Sequence, residues 1–306
     1  MVQLPIAIRQ QIEERAEALG FPALKRAATA LSEAYREGRT PRLPDAERTA
    51  AYLVTRMPAT YAAAHTVLGE VALRAGAIGS ILDAGAGTGA ASLAAREHFP
   101  DAAITMLERD GALSSAARQW LPHAKLLSGD IARLEVLPPH DLVIAVYALG
   151  EFGEAMAARL WQAARVALVV IEPGTPRGFA LIRKIRGELL EAGARMIAPC
   201  PAETACPLAD PDWCHFAARV ERSSLHRRVK GGELGYEDEK FSYVALARQP
   251  VELPAARIIR HPQHRPGLVE IATCTAAGLA TERVTKRDRD RFRAARKAAW
   301  GDAGIS

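Results

Sequence analysis

Two periodicities divide the chain. Up to about residue 75, apolar residues recur at helical spacing in Ala-rich segments such as Glu13-Glu-Arg-Ala-Glu-Ala-Leu19 and Ala23-Leu-Lys-Arg-Ala-Ala-Thr-Ala-Leu31, with Gly20 and Gly38 near their ends. That spacing predicts a helical N-terminal cap or small domain. From Ile78 the pattern changes to short apolar runs of strand length, at 79–84, 103–108, 125–128, 141–147 and 167–172, separated by Ala-rich helical stretches. Strands alternating with helices predict a parallel sheet covered on both faces. Residues 197–240 carry Pro, Gly and Cys with weak periodicity, and strand-like runs follow at 241–247 and 267–273. The expected organisation is a helical cap over 1–75, an α/β domain over 76–196 and a C-terminal module over 197–306.

With 306 residues, 49% of them hydrophobic and 25% charged, and a mean hydropathy of -0.04, the chain has the proportions of a folded globular protein. Disorder is excluded as its main state. No apolar run approaches the roughly 20 residues that a membrane-spanning helix needs. The start, Met1-Val-Gln-Leu-Pro-Ile-Ala-Ile-Arg9, runs straight into Gln10-Gln-Ile-Glu-Glu-Arg15 without the apolar block of a signal peptide. The expectation is a cytoplasmic protein, in a bacterial-type cytosol or an equally reducing compartment, with no membrane partner. The net charge of +5 gains meaning from its distribution: residues 219–300 hold 18 Lys and Arg against 10 Asp and Glu, and the rest of the chain is slightly acidic. Such a cluster is either a solvated helix face or a contact for nucleic acid.

Ser80-Ile-Leu-Asp83-Ala-Gly85-Ala-Gly87-Thr-Gly89-Ala-Ala-Ser92 is an apolar strand running into three alternate glycines and then an Ala-rich helix. Glycines at the carboxyl end of a first strand let the backbone turn sharply and approach a ligand. Taken alone, a plain tight turn is the simpler reading. Glu108 ends the next strand 25 residues after Asp83, where a carboxylate can accept hydrogen bonds from ribose hydroxyls. Asp130 follows the third strand, where an acid can meet an adenine amino group; either acid by itself reads equally as a solvated loop carboxylate. The spacing Gly-x-Gly-x-Gly departs from the Gly-x-Gly-x-x-Gly of nicotinamide and flavin sites. Over residues 78–175 the set resembles class I S-adenosylmethionine-dependent methyltransferases, an α/β fold with a Rossmann-like, doubly wound sheet. That resemblance implies that Asp83, Gly85, Gly87 and Gly89 border the methionine end of the cofactor, Glu108 the ribose and Asp130 the adenine. After the fourth strand, Asp141-Leu-Val-Ile-Ala-Val-Tyr-Ala-Leu-Gly-Glu-Phe152 lacks an Asn-Pro-Pro-Tyr type motif, so no catalytic residue is declared.

All four cysteines, Cys200, Cys206, Cys214 and Cys274, lie in the C-terminal third, with 5, 7 and 59 residues between successive members. In a reducing compartment the choices are buried thiols, a zinc site or an iron-sulfur cluster. The tight Cys-x2-4-Cys knuckles of structural zinc are absent. Looser proline-flanked loops such as Ala198-Pro-Cys-Pro-Ala-Glu-Thr-Ala-Cys-Pro207 suit a bulkier group, and four thiolates are the number a [4Fe-4S] cluster takes. Pro199-Cys200 and Thr273-Cys274 mimic pairs found in RNA cytosine-C5 methyltransferases, but both lie beyond the fifth strand, out of place for that chemistry. Radical S-adenosylmethionine chemistry is disfavoured, because the chain has no tight three-cysteine loop.

The runs Ala198-Pro-Cys-Pro, Cys206-Pro-Leu, Asp212-Trp-Cys-His-Phe216 and Tyr236-Glu-Asp-Glu-Lys-Phe-Ser-Tyr-Val244, with Ile171-Glu-Pro-Gly-Thr-Pro-Arg-Gly178 upstream, resemble the methyltransferase-like ribosomal small-subunit family. The likeness extends from Tyr52-Leu-Val-Thr-Arg56-Met-Pro58 to Lys286-Arg287 and Trp300-Gly-Asp302. Its best-known members are mitochondrial small-subunit assembly factors, and this chain reads as a bacterial relative. The resemblance implies a [4Fe-4S] cluster held by Cys200, Cys206, Cys214 and Cys274, with His215 beside the ligand set rather than in it. It also implies contact with small-subunit ribosomal RNA. Candidate phosphate contacts are Arg219, Arg222, Arg227, Arg228 and Lys230, then Lys286, Arg287, Arg289, Arg291, Arg293, Arg296 and Lys297. Phe292 and Trp300 are stacking aromatics or, more simply, packing anchors. The implied function is an assembly or maturation factor for the small ribosomal subunit that binds S-adenosylmethionine; an active rRNA methyltransferase is the alternative.

Overall fold

The helical spacing of the first 75 residues becomes α1 (Ile6–Leu19), α2 (Phe21–Arg36), α3 (Asp45–Thr55) and α4 (Met57–Ala72) in the computed structural model, which describes residues 1–36, 42–153 and 155–305. Gly20, at φ 82°, separates α1 from α2, while Gly38 lies outside the described residues. Asp45 and Glu47 occupy the first turn of α3, where carboxylates meet the positive end of the helix dipole. Helix α4 is buried nearly all round, through Met57, Tyr61, Ala63, Val67, Leu68 and Val71 among others, as befits a helix with no polar face.

The alternating stretch follows as β1 (Ser80–Ala84), α5 (Ala90–His98), β2 (Ala103–Glu108), α6 (Gly111–Trp120), β3 (Lys125–Ser128), β4 (His140–Val146), α7 (Leu149–Phe152), α8 (Met156–Ala163), β5 (Ala164–Pro173) and α9 (Pro176–Glu191). Asp110 caps α6 by accepting the N–H groups of Ala112 and Leu113, and Thr175 caps α9 by accepting that of Gly178. Then come β6 (Arg195–Ala198), β7 (Phe216–Glu221), α10 (Ser224–Lys230), β8 (Tyr236–Ala247), β9 (Ala256–Ile258), β10 (Gln263–Arg265), β11 (Leu268–Thr275), β12 (Gly278–Thr285) and α11 (Arg289–Lys297).

Five parallel strands run in the order β3-β2-β1-β4-β5. Strand β8 lies antiparallel between β5 and β6, and its first half also pairs with β7. This is the doubly wound sheet of the class I methyltransferase fold, whose order reverses between β1 and β4. Strands β7 and β8 fall within residues 197–306, so that stretch is not a separate module as the sequence pattern suggested. It completes the main sheet, and only from Ala256 does the chain build a second, antiparallel sheet of β9 to β12. The weak periodicity of 197–240 hid β7 because its burial alternates over only six residues.

The cap is likewise no separate core. Leu24, Leu53, Met57, Tyr61 and Leu68 belong to one continuous apolar cluster with Ile81, Ile144 and Ile171 of the sheet. Each such side chain is worth about 1.5–3 kcal/mol on burial, so the cap is bound to one face of the sheet by its interior. Ile182, Ile185 and Leu189 of α9 cover the other face with α8, and a small cluster of Ile258, Val269, Ile271, Val284 and Ala295 joins the second sheet to α11.

Candidate functional site

At the carboxyl end of β1, Gly85, Gly87 and Gly89 take φ values of 77, 54 and 74°, the left-handed region that side chains disfavour. A Cβ on Gly89 would stand 2.9 Å from Leu121 Cδ1, and one on Gly85 would stand 3.0 Å from Phe152 Cζ. The loop is therefore pressed between the end of α6 and the turn after β4. Its backbone is pinned to β2: the N–H groups of Gly85 and Ala86 donate to the Leu107 carbonyl at 2.9 and 3.1 Å, and that of Gly87 donates to Glu108 Oε2 at 2.7 Å. Glu108 Oε1 accepts the Asp110 N–H at 2.7 Å. A carboxylate has about four acceptor positions, so Glu108 is oriented by the loop with capacity to spare. The Gly129 N–H donates to the Glu108 carbonyl at 3.1 Å, which brings Asp130 alongside; Asp130 Oδ1 accepts the Ala132 N–H at 3.0 Å and caps the turn over 131–133. Asp83, 1% exposed, accepts the Ser92 hydroxyl at 2.6 Å. Burial pushes its carboxyl up to about 7, against the pull of the Ser92 hydrogen bonds. The six residues expected around a cofactor thus meet at one end of the sheet, at the reversal of strand order.

The cap closes over this end, a contribution that the loop motifs did not reveal. Arg48 of α3 pairs with Asp110 and, at 2.7 Å, with Asp45. The Tyr52 hydroxyl is 3.8 Å from where a Gly87 Cβ would stand, and the Arg56 guanidinium lies 4.8 Å from the centroid of the Tyr35 ring, which is 43% exposed. On the opposite wall Tyr147, directly after β4, has φ 55°, and it is the one non-glycine residue at positive φ among the described residues. Its hydroxyl donates to Glu239 Oε1 of β8 at 2.7 Å. Glu172, buried at the end of β5, accepts the N–H groups of Leu149 and Gly150 at 3.0 and 3.4 Å; burial pushes its carboxyl up to about 7 against those bonds. Burial also raises Glu239. A strained residue beside one buried and one half-buried acid marks this wall as a candidate for chemistry. For the cap side, the sequence signal was the run Tyr52-Leu-Val-Thr-Arg56-Met-Pro58, which entered above only through the family likeness.

The four cysteines converge although 59 residues separate the last two. Cys200 follows β6, Cys206 and Cys214 lie in the loop to β7, and Cys274 is carried in by β11, where it stands opposite Leu279 and Arg257. All four line a single cavity with Phe179 and Ile182 of α9. Arg186 of α9 fixes the loop by donating to the carbonyls of Ala202 and Thr204, both at 2.8 Å. Arg257, 2% exposed, donates from Nε to the Pro199 carbonyl at 2.9 Å, from Nη1 to the Gly301 carbonyl at 2.6 Å and from Nη2 to Glu70 Oε2 of α4 at 2.8 Å. Burial raises the thiols of Cys200 and Cys214 above the ordinary range and pushes Cys274 up to about 11, with neighbouring cysteines adding to all three. Yet among the described residues no group of three or more His, Cys, Asp or Glu side chains is placed to hold a single metal ion. His215 stacks on Trp213 and meets Trp300 edge-on, away from a ligand role.

The basic region divides in two. Arg219 makes a two-point pair with Asp238 at 2.7 and 2.9 Å, while Arg222 and Lys230 share Glu237 at 2.7 and 3.0 Å, so three of the cations expected to meet phosphate are already paired with acids of β8. Arg228 lies over the Phe21 ring at 4.4 Å, and Arg227 is half-buried. Further on, Lys286, Arg287, Arg289, Arg296 and Lys297 are exposed along the turn before α11 and on that helix, without ion pairs among the described residues. Arg291 pairs with Glu282 at 3.0 Å and Arg293 with Asp290 at 3.5 Å. Phe292 and Trp300 are half-buried and packed on apolar clusters, which makes them anchors rather than free stacking platforms.

The family model described as mitochondrial small ribosomal subunit Rsm22 matches residues 46–304. Two curated relatives from Schizosaccharomyces pombe, the Rsm22-cox11 tandem proteins 1 and 2, mitochondrial, are each 24% identical over 318 residues, covering 82% of this chain and 42% of theirs. The chain therefore spans about two fifths of the length of the curated relatives it matches. Among solved structures, magnesium protoporphyrin IX methyltransferase from Synechocystis PCC 6803 with bound SAH is 13% identical, with a TM-score of 0.42 over 76% of this chain and 100% of that one. The plantazolicin methyltransferase BpumL, solved with a triazolic desmethylPZN analog and SAH, is 10% identical, with a TM-score of 0.46 over 78% and 98%. No helix among the described residues is long and apolar enough to cross a membrane.

Proposed function

The chain belongs to the Rsm22 family of mitochondrial small ribosomal subunit proteins, and on that premise we propose that it is an assembly or maturation factor for the small ribosomal subunit, binding S-adenosylmethionine, a [4Fe-4S] cluster and ribosomal RNA. Family membership over 259 of 306 residues carries the ribosomal part. For the cofactor, the support is the glycine cradle and the oriented Glu108 carboxylate: Gly85, Gly87, Gly89 and Asp83 would border its methionine end, Glu108 its ribose and Asp130 its adenine. For the cluster, the support is four thiols around one cavity, the number of thiolates such a cluster takes. Cys200, Cys206, Cys214 and Cys274 would hold it, and when bound it supplies cross-links between the two sheets and a redox-capable centre. RNA contact belongs to the exposed cations Lys286, Arg287, Arg296 and Lys297 with Arg289, and the cytoplasm of a bacterial-type cell is the compartment this reading assigns. The working division is a cap over 1–75, a completed sheet domain to about 250 and a C-terminal sheet and helix beyond.

The test is anaerobic purification with iron, sulfide and zinc assayed in one sample, followed by co-sedimentation with small-subunit particles. About four iron and four sulfide per chain, and particle association lost in Cys206→Ser, are expected. Stoichiometric zinc, or association unchanged in that variant, overturns the role of the cluster. A second reading, an active rRNA methyltransferase, is favoured by the strained Tyr147, with buried Glu172 and half-buried Glu239 about the turn after β4. Mapping rRNA methylation with Gly85 and Gly87 replaced by bulky residues decides it: a modification lost is the enzyme's signature, and an unchanged map leaves the assembly reading alone.

A further inference from the structure

We infer that Arg56 receives the carboxylate at the amino-acid end of the cofactor, an inference that rests on the S-adenosylmethionine reading of the glycine loop. Arg56 stands at the joint where α3 ends and α4 begins. Its N–H donates to the Tyr52 carbonyl at 2.8 Å and its carbonyl accepts the Thr60 N–H at 3.0 Å, so the two helices fix where the side chain departs. One turn earlier, Tyr52 overhangs Gly87. The guanidinium lies against the Tyr35 ring, and its charge acts on Tyr52 on one side of the gap and on Tyr147 and Glu239 on the other. With Tyr52 over Gly87 one turn before it, Arg56 stands on the part of the cap that covers the glycine loop.

Other arginines at this end of the sheet have carboxylate partners: Arg48 has Asp110 and Asp45, and Arg109 has Glu151 at 3.2 Å. Half-buried Arg56 makes no ion pair among the described residues. Glu239, the acid it influences, is instead occupied by the Tyr147 hydroxyl. A guanidinium offers five donors in a planar fork, and contact with an aromatic face uses none of them. A carboxylate matches that fork with two parallel hydrogen bonds. S-adenosylmethionine carries a single carboxylate, at the end that the glycine loop borders in this reading.

Calorimetric titration of the full chain with S-adenosylhomocysteine and with 5′-methylthioadenosine tests this, because the second ligand keeps the adenosine and thioether but lacks the amino-acid end. Arg56→Ala is expected to weaken S-adenosylhomocysteine about tenfold or more while leaving methylthioadenosine within about twofold, and Arg56→Lys is expected to recover part of the loss. Equal weakening of both ligands overturns the inference, since Arg56 then only holds the cap in place. Unchanged binding of both overturns it too, since the carboxylate is then met elsewhere. Wild-type protein that binds methylthioadenosine as tightly as S-adenosylhomocysteine overturns the Arg56 role alone, whereas wild-type protein that binds neither overturns the cofactor reading beneath it.

Discussion

The glycine loop and the cysteine cavity are built by opposite routes. Asp83, Gly85, Gly87 and Gly89 lie within seven consecutive residues, and one strand, one turn and one helix place them all. The cysteines arrive from a loop that interrupts the main sheet and from β11 of the second sheet, and nothing local brings Cys274 to Cys200. A site made by local geometry is robust to distant change and sensitive to its own backbone. A site made by tertiary convergence depends on whatever holds the converging parts.

That dependence is concentrated in Arg257, which joins the Cys200 loop, the C-terminal tail and α4 of the cap through three hydrogen bonds. Arg257→Met fills much the same volume but leaves the Pro199 and Gly301 carbonyls without their donor and Glu70 with Arg74 as its remaining partner. Orphaning two carbonyls at about 1–3 kcal/mol each makes this about 3–5 kcal/mol, the largest effect expected here. Urea unfolding should show a lower midpoint with unchanged slope, and any iron retained on purification should fall with it. A loss below about 1 kcal/mol would mean that the cavity is held by packing alone, erasing the contrast with the loop.

The glycine loop should break differently. Gly89→Val meets both a left-handed backbone and Leu121 at 2.9 Å, for an expected loss of about 2–4 kcal/mol. Gly87→Ala meets only the Tyr52 hydroxyl, at an ordinary contact of 3.8 Å, so strain alone, about 1–2 kcal/mol, should register in the melting temperature. Both should abolish S-adenosylhomocysteine binding in calorimetry while leaving iron content near wild type. Coupled loss of iron would show that the two sites share one cooperative unit.

This contrast also explains what could be read without a structure. The strands around the loop follow directly from apolar runs, and Glu108 and Asp130 fall at strand ends because a parallel sheet places every carboxyl end together. The cap residues Tyr35 and Arg48 escaped notice, and Tyr52 and Arg56 entered only through the family likeness, since helical periodicity reveals which face is buried but not what it is buried against. The membership of β7 and β8 in the main sheet was hidden for a related reason: an antiparallel return strand pairs with residues some 70 positions earlier, as Val244 does with Val170. Likewise the basic stretch looked uniform in sequence, yet Asp238 and Glu237 neutralise one half of it across a strand pair.

A subtler difference lies in proton linkage. Asp83 keeps its proton up to about pH 7 in the folded chain and releases it near its ordinary value of 3.8 when unfolded. Between those values the native state binds the extra proton, so this contribution to stability is complete below about pH 4 and declines as pH rises toward 7. Asp83→Asn removes the decline while keeping an acceptor for the Ser92 hydroxyl. Its stability should fall less than that of wild type between pH 4 and 7, by about 1–3 kcal/mol in chemical denaturation. Glu172, pushed up in the same direction, leaves a residual slope in the variant. Parallel curves for the two proteins would place the Asp83 carboxylate in contact with water.

The smallest stability effect, and the sharpest separation of roles, belongs to the exposed face of α11. Arg296 and Lys297 end that helix in solvent, where their charges complement its negative end by a few tenths of a kcal/mol. Replacing both with Ala should therefore shift stability by less than about 0.5 kcal/mol. If they meet phosphates, the same change should lower the salt dependence of binding to a small-subunit RNA fragment by nearly two units of slope, since each phosphate contact in single strands and duplexes contributes about 0.7–0.9. Arg219 makes the matched control: its loss breaks the pair with Asp238 and leaves an acid exposed on β8, so a change in RNA affinity there would carry a stability cost that the α11 pair does not. An unchanged salt slope in the α11 variant, measured against that control, would move the RNA contact off the end of this helix and onto Lys286 and Arg287 in the turn before it.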